Sequence, residues 1–163
     1  MGSRDRCRRA HGSNVRDSAG TDHDGATSGV HDMEPTEIVL TIPGTPDFLR
    51  LARMAAADAA SRVGLTYEEI DDLRIAVDEL CFAVMGEEGA NAPLTLVYQI
   101  HPGAVAVRGS CPAPSNGATP AQSELSRTIV AAVVDEHELG QQDGARCFRL
   151  LKRGTAQDAT TSG

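Results

Sequence analysis

Between Glu68 and Glu87 the run EEIDDLRIAVDELCFAVMGE sets apolar residues at Ile70, Leu73, Val77, Leu80, Cys81 and Val84. That three-and-four spacing predicts one long amphipathic helix with a single buried stripe. A flanking stripe, Asp72, Ala76, Glu79 and Ala83, repeats at the same spacing. It pairs acids with small residues, a composition suited to the floor of a pocket. Thr66 and Glu69 form a capping-box pattern at the start of the helix. Glu68, Glu69, Asp71 and Asp72 also suit the positive end of its dipole. Arg74 and Asp78 stand four apart and are expected to pair.

The flanking segments follow the same logic. Glu37 to Ile42, EIVLTI, is β-branched and closed by Pro43-Gly44, so it reads as a strand. Thr45 is expected to cap a helix with Pro46 at its first position. That helix runs to Val63, stops at Gly64 and presents Phe48, Ala52, Ala55, Ala59 and Val63 inward, with Arg50 and Arg53 exposed. GEEGANAP is a loop. Leu94 to His101 and Ala104 to Ser110 form an antiparallel hairpin around Pro102-Gly103. Cys111 to Pro120 is a Pro/Gly-rich loop. A shorter helix, SELSRTIVAAVVDE, follows with Leu125, Ile129, Val130 and Val133 inward. A last hairpin turns around Gln141 to Gly144, with Cys147, Leu150 and Phe148 packing. Helices segregated on one face of a mainly antiparallel sheet give an α+β two-layer sandwich.

Residues 1–32 hold almost no large apolar residue and are expected to be a disordered tail. The folded domain then spans 33–153, with Met33 a candidate start, and 154–163 is expected to be loose. The tail carries five Arg and five Asp, so the whole charge of −8 belongs to the remainder. A net negative domain disfavours nucleic acid, and aromatics at 3% give no stacking platform. The cluster Arg4, Arg6, Arg8 and Arg9 reads as a solvated tail. Cys7, Cys81, Cys111 and Cys147 lack metal-ligand spacing, and two of them sit on apolar periodicities, which suits a reducing compartment. No apolar run is long enough to span a bilayer. Together these features indicate a cytoplasmic protein. No Walker loop, GxGxxG, HExxH or GxSxG motif is present.

The element order, with DDLRIAVDELCFAVMG in the second helix, resembles the GHKL (histidine-kinase-like ATPase) fold. More narrowly, it resembles the serine-kinase anti-sigma factors of bacterial partner-switching systems. The resemblance covers roughly Glu34 to Lys152 and rests on EIVLTIPGTPDFLRLAR, AVDELC and DEHEL…GARCFRLLKR. It implies that Glu79 stands where the family has a general base. Ala83 stands where the family has an asparagine that binds the magnesium of ATP. One helical turn places both on the pocket face, but alanine has no oxygen for the metal. The family's Asp-x-Gly-x-Gly motif corresponds to Gly109, Cys111 and Ala113, all changed, and its Gly-rich lid is cut to Ser115-Asn116-Gly117. The resemblance therefore implies a degenerate nucleotide pocket at Glu79, Ala83, Gly109, Cys111 and Ala113. ATP and magnesium are its cofactors only if that site is retained. Its implied function is a homodimeric anti-sigma factor that sequesters a sigma subunit and is released by an anti-anti-sigma partner. One alternative is an ATP-dependent serine kinase of that partner, with Glu79 as base. Another is an unrelated α+β domain in which Glu79 is only a solvated or paired acid.

Overall fold

The computed structural model describes residues 35–86 and 92–155. The expectations for the 1–32 tail, Cys7, the centre of the GEEGANAP loop and residues 156–163 lie outside the described residues. Strand β1 (Thr36–Pro43) leads through a 3₁₀ turn (Pro46–Phe48) into helix α1 (Leu49–Arg62) and helix α2 (Tyr67–Met85). The hairpin β2 (Pro93–His101) and β3 (Ala104–Pro112), helix α3 (Glu124–Val133), and the hairpin β4 (Glu136–Gln142) and β5 (Ala145–Arg153) follow.

The five strands form one antiparallel sheet in the order β1-β2-β3-β5-β4. Its inner face carries Leu94, Leu96 and Tyr98 from β2, Val105 and Val107 from β3, and Phe148 and Leu150 from β5. Against these pack Leu73, Val77, Leu80, Cys81 and Val84, the stripe read from the sequence of α2. Each such fully buried leucine or valine stabilises the fold by about 2 kcal/mol relative to exposure. Tyr98 crosses the layer to donate its hydroxyl to the Ala52 carbonyl at 2.8 Å, which satisfies its one buried polar atom.

Helix α2 begins as expected. The Glu69 amide donates to Thr66 Oγ1 at 3.3 Å, and the Thr66 amide donates to Glu69 Oε2 at 2.7 Å. Glu69 has a further task that the capping box does not explain. Its Oε1 accepts from the Thr155 amide at 2.6 Å and the Thr155 hydroxyl at 2.7 Å, while the Gly154 amide reaches the Gly103 carbonyl. Gly154 and Thr155, expected to be loose, are therefore tied to the domain. These hydrogen bonds, those from Thr155 foremost, hold the Glu69 carboxyl down to about 2.

Several local expectations change. Thr45 makes no side-chain cap; its carbonyl accepts the Phe48 amide instead, closing the 3₁₀ turn before α1. The buried face of α1 is Leu49, Ala52, Ala56, Ala59 and Ala60, with Ala55 and Val63 partly buried against the core; of the expected stripe only Phe48, in that turn, is exposed. Arg53 is not a free surface cation, because it pairs with Asp78 across the α1–α2 contact. Arg74 turns back to Asp71 at 2.7 Å, so the Arg74–Asp78 pair does not form. Strand β3 runs through Cys111 to Pro112, and the loop starts only after it. Leu125 is 70% exposed, since α3 packs through Ser126 and Val130. Strand alternation puts Phe148 and Leu150 on the inner face and hence Cys147 on the other. The β4–β5 turn is tighter than expected, Asp143 and Gly144 both lying at positive φ as a two-residue hairpin turn requires.

Candidate functional site

A cleft of about 1020 Å³ opens beside the C-terminal end of α2. Glu79, Ala83 and Met85 of α2 line one side, with the β1–α1 turn at Gly44 and Pro46. Cys111, Ala113 and Asn116 supply the sheet side and loop, and Gln122, Ser123 and Ser126 bring the start of α3 to the rim. Ser123 caps α3, its hydroxyl accepting the Ser126 amide at 3.0 Å. The flanking stripe of α2 is thus divided. Asp72 is held by Lys152 at 3.0 Å and Ala76 is buried, whereas Glu79 and Ala83 reach the cleft.

Four of the five positions singled out from the sequence, Glu79, Ala83, Cys111 and Ala113, meet at this cleft. The fifth, Gly109, does not line it. Gly109 is buried opposite Phe148 in the β3–β5 register. A Cβ on Gly109 would lie 2.5 Å from Phe148 Cζ and closer still to another ring atom, so the ring occupies the space a side chain at 109 would need. Cys111 is buried, and burial pushes its thiol above the ordinary range, so it stays protonated at neutral pH.

Two residues of β5 were missed by the sequence reading, Phe148 as the cover of Gly109 and Arg146 as a cleft residue. Arg146 is only 7% exposed yet lines the cleft. It donates from Nη2 to the Met85 carbonyl at 2.6 Å, at the negative end of α2. Gly86 follows at φ 72°, and its missing Cβ leaves the room that the guanidinium fills. The guanidinium also lies beside the Cys111 thiol. Among the described residues no carboxylate pairs with Arg146, and its enclosed Nε has no hydrogen-bond partner. Alternation could have found it, because Phe148 and Leu150 facing inward force Arg146 inward too.

The donor set does not suit a magnesium ion. Among the described residues no group of three His, Cys, Asp or Glu could hold a metal. Among the described residues Glu79 is the only carboxylate on the cleft wall, and the position one turn on is Ala83.

No protein-family model matches the chain. It is similar to proteins named serine-protein kinase RsbW. Against that of Bacillus pumilus it is 39% identical over 70 residues, 38% of this chain and 43% of the relative. Against that of Listeria innocua it is 37% identical over 79 residues, 45% of this chain and 49% of the relative. Against that of Bacillus subtilis it is 43% identical over 44 residues, 27% and 28% respectively. The chain thus spans about half or less of the curated relatives it matches. A crystal structure of the RsbU and RsbW domains of Rv1364c from Mycobacterium tuberculosis superposes with a TM-score of 0.55 at 14% identity. That alignment covers 72% of this chain and 32% of the other. The open antiparallel sheet with helices on one face is therefore an RsbW-like fold, and the resemblance read from the α2 sequence stands.

Proposed function

We propose that this chain is a regulator of the anti-sigma type, which binds and sequesters a sigma subunit of RNA polymerase in a partner-switching pathway. In this reading the cleft beside α2 is a degenerate ATP site, an anti-anti-sigma protein is the releasing partner, and the protein works as a cytoplasmic homodimer. The observation that carries it is the combination at α2. The chain is similar to RsbW serine-protein kinases, yet Ala83 offers no metal ligand one turn after Glu79. Phosphoryl transfer depends on neutralising charge at the β- and γ-phosphates, and an alanine contributes nothing to that. Phe148 closes a second route back to the family pattern, because an acid at 109 has no room. Sequestration needs only a surface and survives both changes. Exposed Leu51 and Met54 on α1 and Ile75 and Phe82 on α2 give the helical layer apolar area for a protein partner. The test is affinity capture from the source cell's extract, with the retained proteins identified by mass spectrometry. A sigma subunit retained at stoichiometric levels is the expected result, and capture without any sigma subunit overturns the reading.

The kinase reading draws on Glu79, which keeps its carboxylate, half-buried, on the cleft wall. It predicts transfer of label from ATP with magnesium to an anti-anti-sigma protein, abolished in Glu79→Gln. Absence of such transfer at millimolar ATP eliminates it.

A further inference from the structure

Among the described residues Arg146 has no carboxylate partner, which a buried cation ordinarily needs. The side chain is 7% exposed, one hydrogen bond joins it to the Met85 carbonyl, and its Nε is enclosed with no acceptor. A buried charge is ordinarily paired with an opposite charge. Among the described residues the neighbours supply none. Cys111 is a thiol, the carboxylate of Glu79 shares the cleft but forms no ion pair with Arg146, and the other lining residues among those described are neutral. Capping α2 and the contact with the Cys111 thiol occupy part of the five N–H groups of the guanidinium, but neither brings a negative charge, and Nε stays without an acceptor. The first turn of α3, whose N-terminal end also favours an anion, reaches the same cleft through Ser123 and Ser126.

We propose that the cleft binds a phosphoryl group through direct contact with the Arg146 guanidinium, with no metal ion between them. Resting on the reading of the cleft as a nucleotide site, this gives the site a different chemistry from the one its resemblance implies. A planar fork of N–H donors matches phosphate oxygens, supplies the charge that a divalent ion would otherwise bring, and needs no side-chain oxygen at position 83. The site is then a binding device for a nucleotide or polyphosphate. It retains its ligand where magnesium is absent, and it places no metal on the bond that a kinase must break.

The test is calorimetric titration of the full chain with ATP and, separately, with inorganic tripolyphosphate, each in EDTA and in magnesium, for the wild type and Arg146→Met. ATP or tripolyphosphate is expected to bind in EDTA. Magnesium should change the affinity less than about threefold, and Arg146→Met should weaken it at least tenfold. Binding of ATP alone identifies a nucleotide as the source of the phosphoryl group, and comparable binding of tripolyphosphate identifies the phosphates themselves. Circular dichroism and a thermal melt verify that the variant is folded. If Arg146→Met does not fold, Arg146→Lys is read in its place, since it keeps the charge but loses the fork, and it too must weaken binding. Binding that requires magnesium, binding indifferent to position 146, or no binding of either polyphosphate overturns the proposal. A protein that binds neither polyphosphate but retains a sigma subunit leaves the regulator reading intact. One that binds ATP through Arg146 but retains no sigma subunit does the reverse.

Discussion

Gly109→Ala should be among the most damaging single-methyl additions in this protein. The residue sits on the inner face of β3, directly across from Phe148 of β5. The added Cβ would come within 2.5 Å of Phe148 Cζ, with a second ring atom at 2.9 Å. Ordinary carbon contacts lie near 3.5–4.0 Å, so the ring has to move by about 1 Å. Phe148 is 2% exposed and wedged among the core residues, so it has little room to do so. Overpacking of this kind costs about 1–3 kcal/mol. At about 4 °C per kcal/mol for a domain of this size, the midpoint should fall by roughly 4–12 °C. Gly109→Asp should be worse, because it adds an unpaired buried carboxylate to the same clash. Chemical denaturation of wild type, Gly109→Ala, Phe148→Leu and the double variant gives the coupling directly. Both single changes should destabilise, and the double should lose less than their sum because the smaller side chain vacates the space. A Gly109→Ala protein as stable as wild type, or strict additivity in the cycle, would refute the reasoning.

Other expectations concern parts of the fold remote from that contact. Hydrogen bonds hold the Glu69 carboxyl at about 2, below its unfolded value, so the stability it contributes is complete above about pH 4.5 and disappears as pH falls toward 2. In Glu69→Gln the unfolding free energy measured from pH 5 to pH 2 should slope less than in wild type. Leu80→Ala, at a fully buried position of α2, should cost about 2–5 kcal/mol by urea denaturation. Asp78→Asn, which breaks the partly exposed pair with Arg53, should cost about 1 kcal/mol or less, with the difference shrinking in high salt. Gly144→Ala at φ 76° should destabilise by about 1 kcal/mol, whereas Asp143→Gly at φ 49° should be tolerated.

What the sequence made legible follows contrast between positions. In α2, large apolar residues alternate with acids, so its stripe, its cap and the exposure of Glu79 and Ala83 to one cleft could all be read. Alanine-rich α1 offers little contrast: Ala52 and Ala59 of its stripe are buried as read and Ala55 and Val63 pack partly, but Phe48, in the 3₁₀ turn at its entry, is exposed, and Leu49 and Ala56 beside the stripe are buried. Leu125 was misplaced because α3 is short and packs through few side chains, leaving a leucine at its solvent edge. On β5 the adjacent apolar pairs Cys147-Phe148 and Leu150-Leu151 hid the parity that separates Cys147 from Phe148. Most of what distinguishes the site came from pairing between distant strands. That Phe148 lies over Gly109, and that Arg146 lies next to Cys111, are facts of the β3–β5 register. A single chain carries no local signal for such a register.

The clamp holds Thr155 at one pole of the domain. Glu69, Gly103 and Thr155 gather at the N-terminal end of α2, while Met85, Gly86 and Arg146 mark the other end of the same helix and sheet. A helix of 19 residues separates these two ends by on the order of 28 Å. A fluorophore, affinity handle or second domain joined after Thr155 therefore starts at the pole away from the cleft. Immobilising the protein through Thr155 would present the cleft to solution.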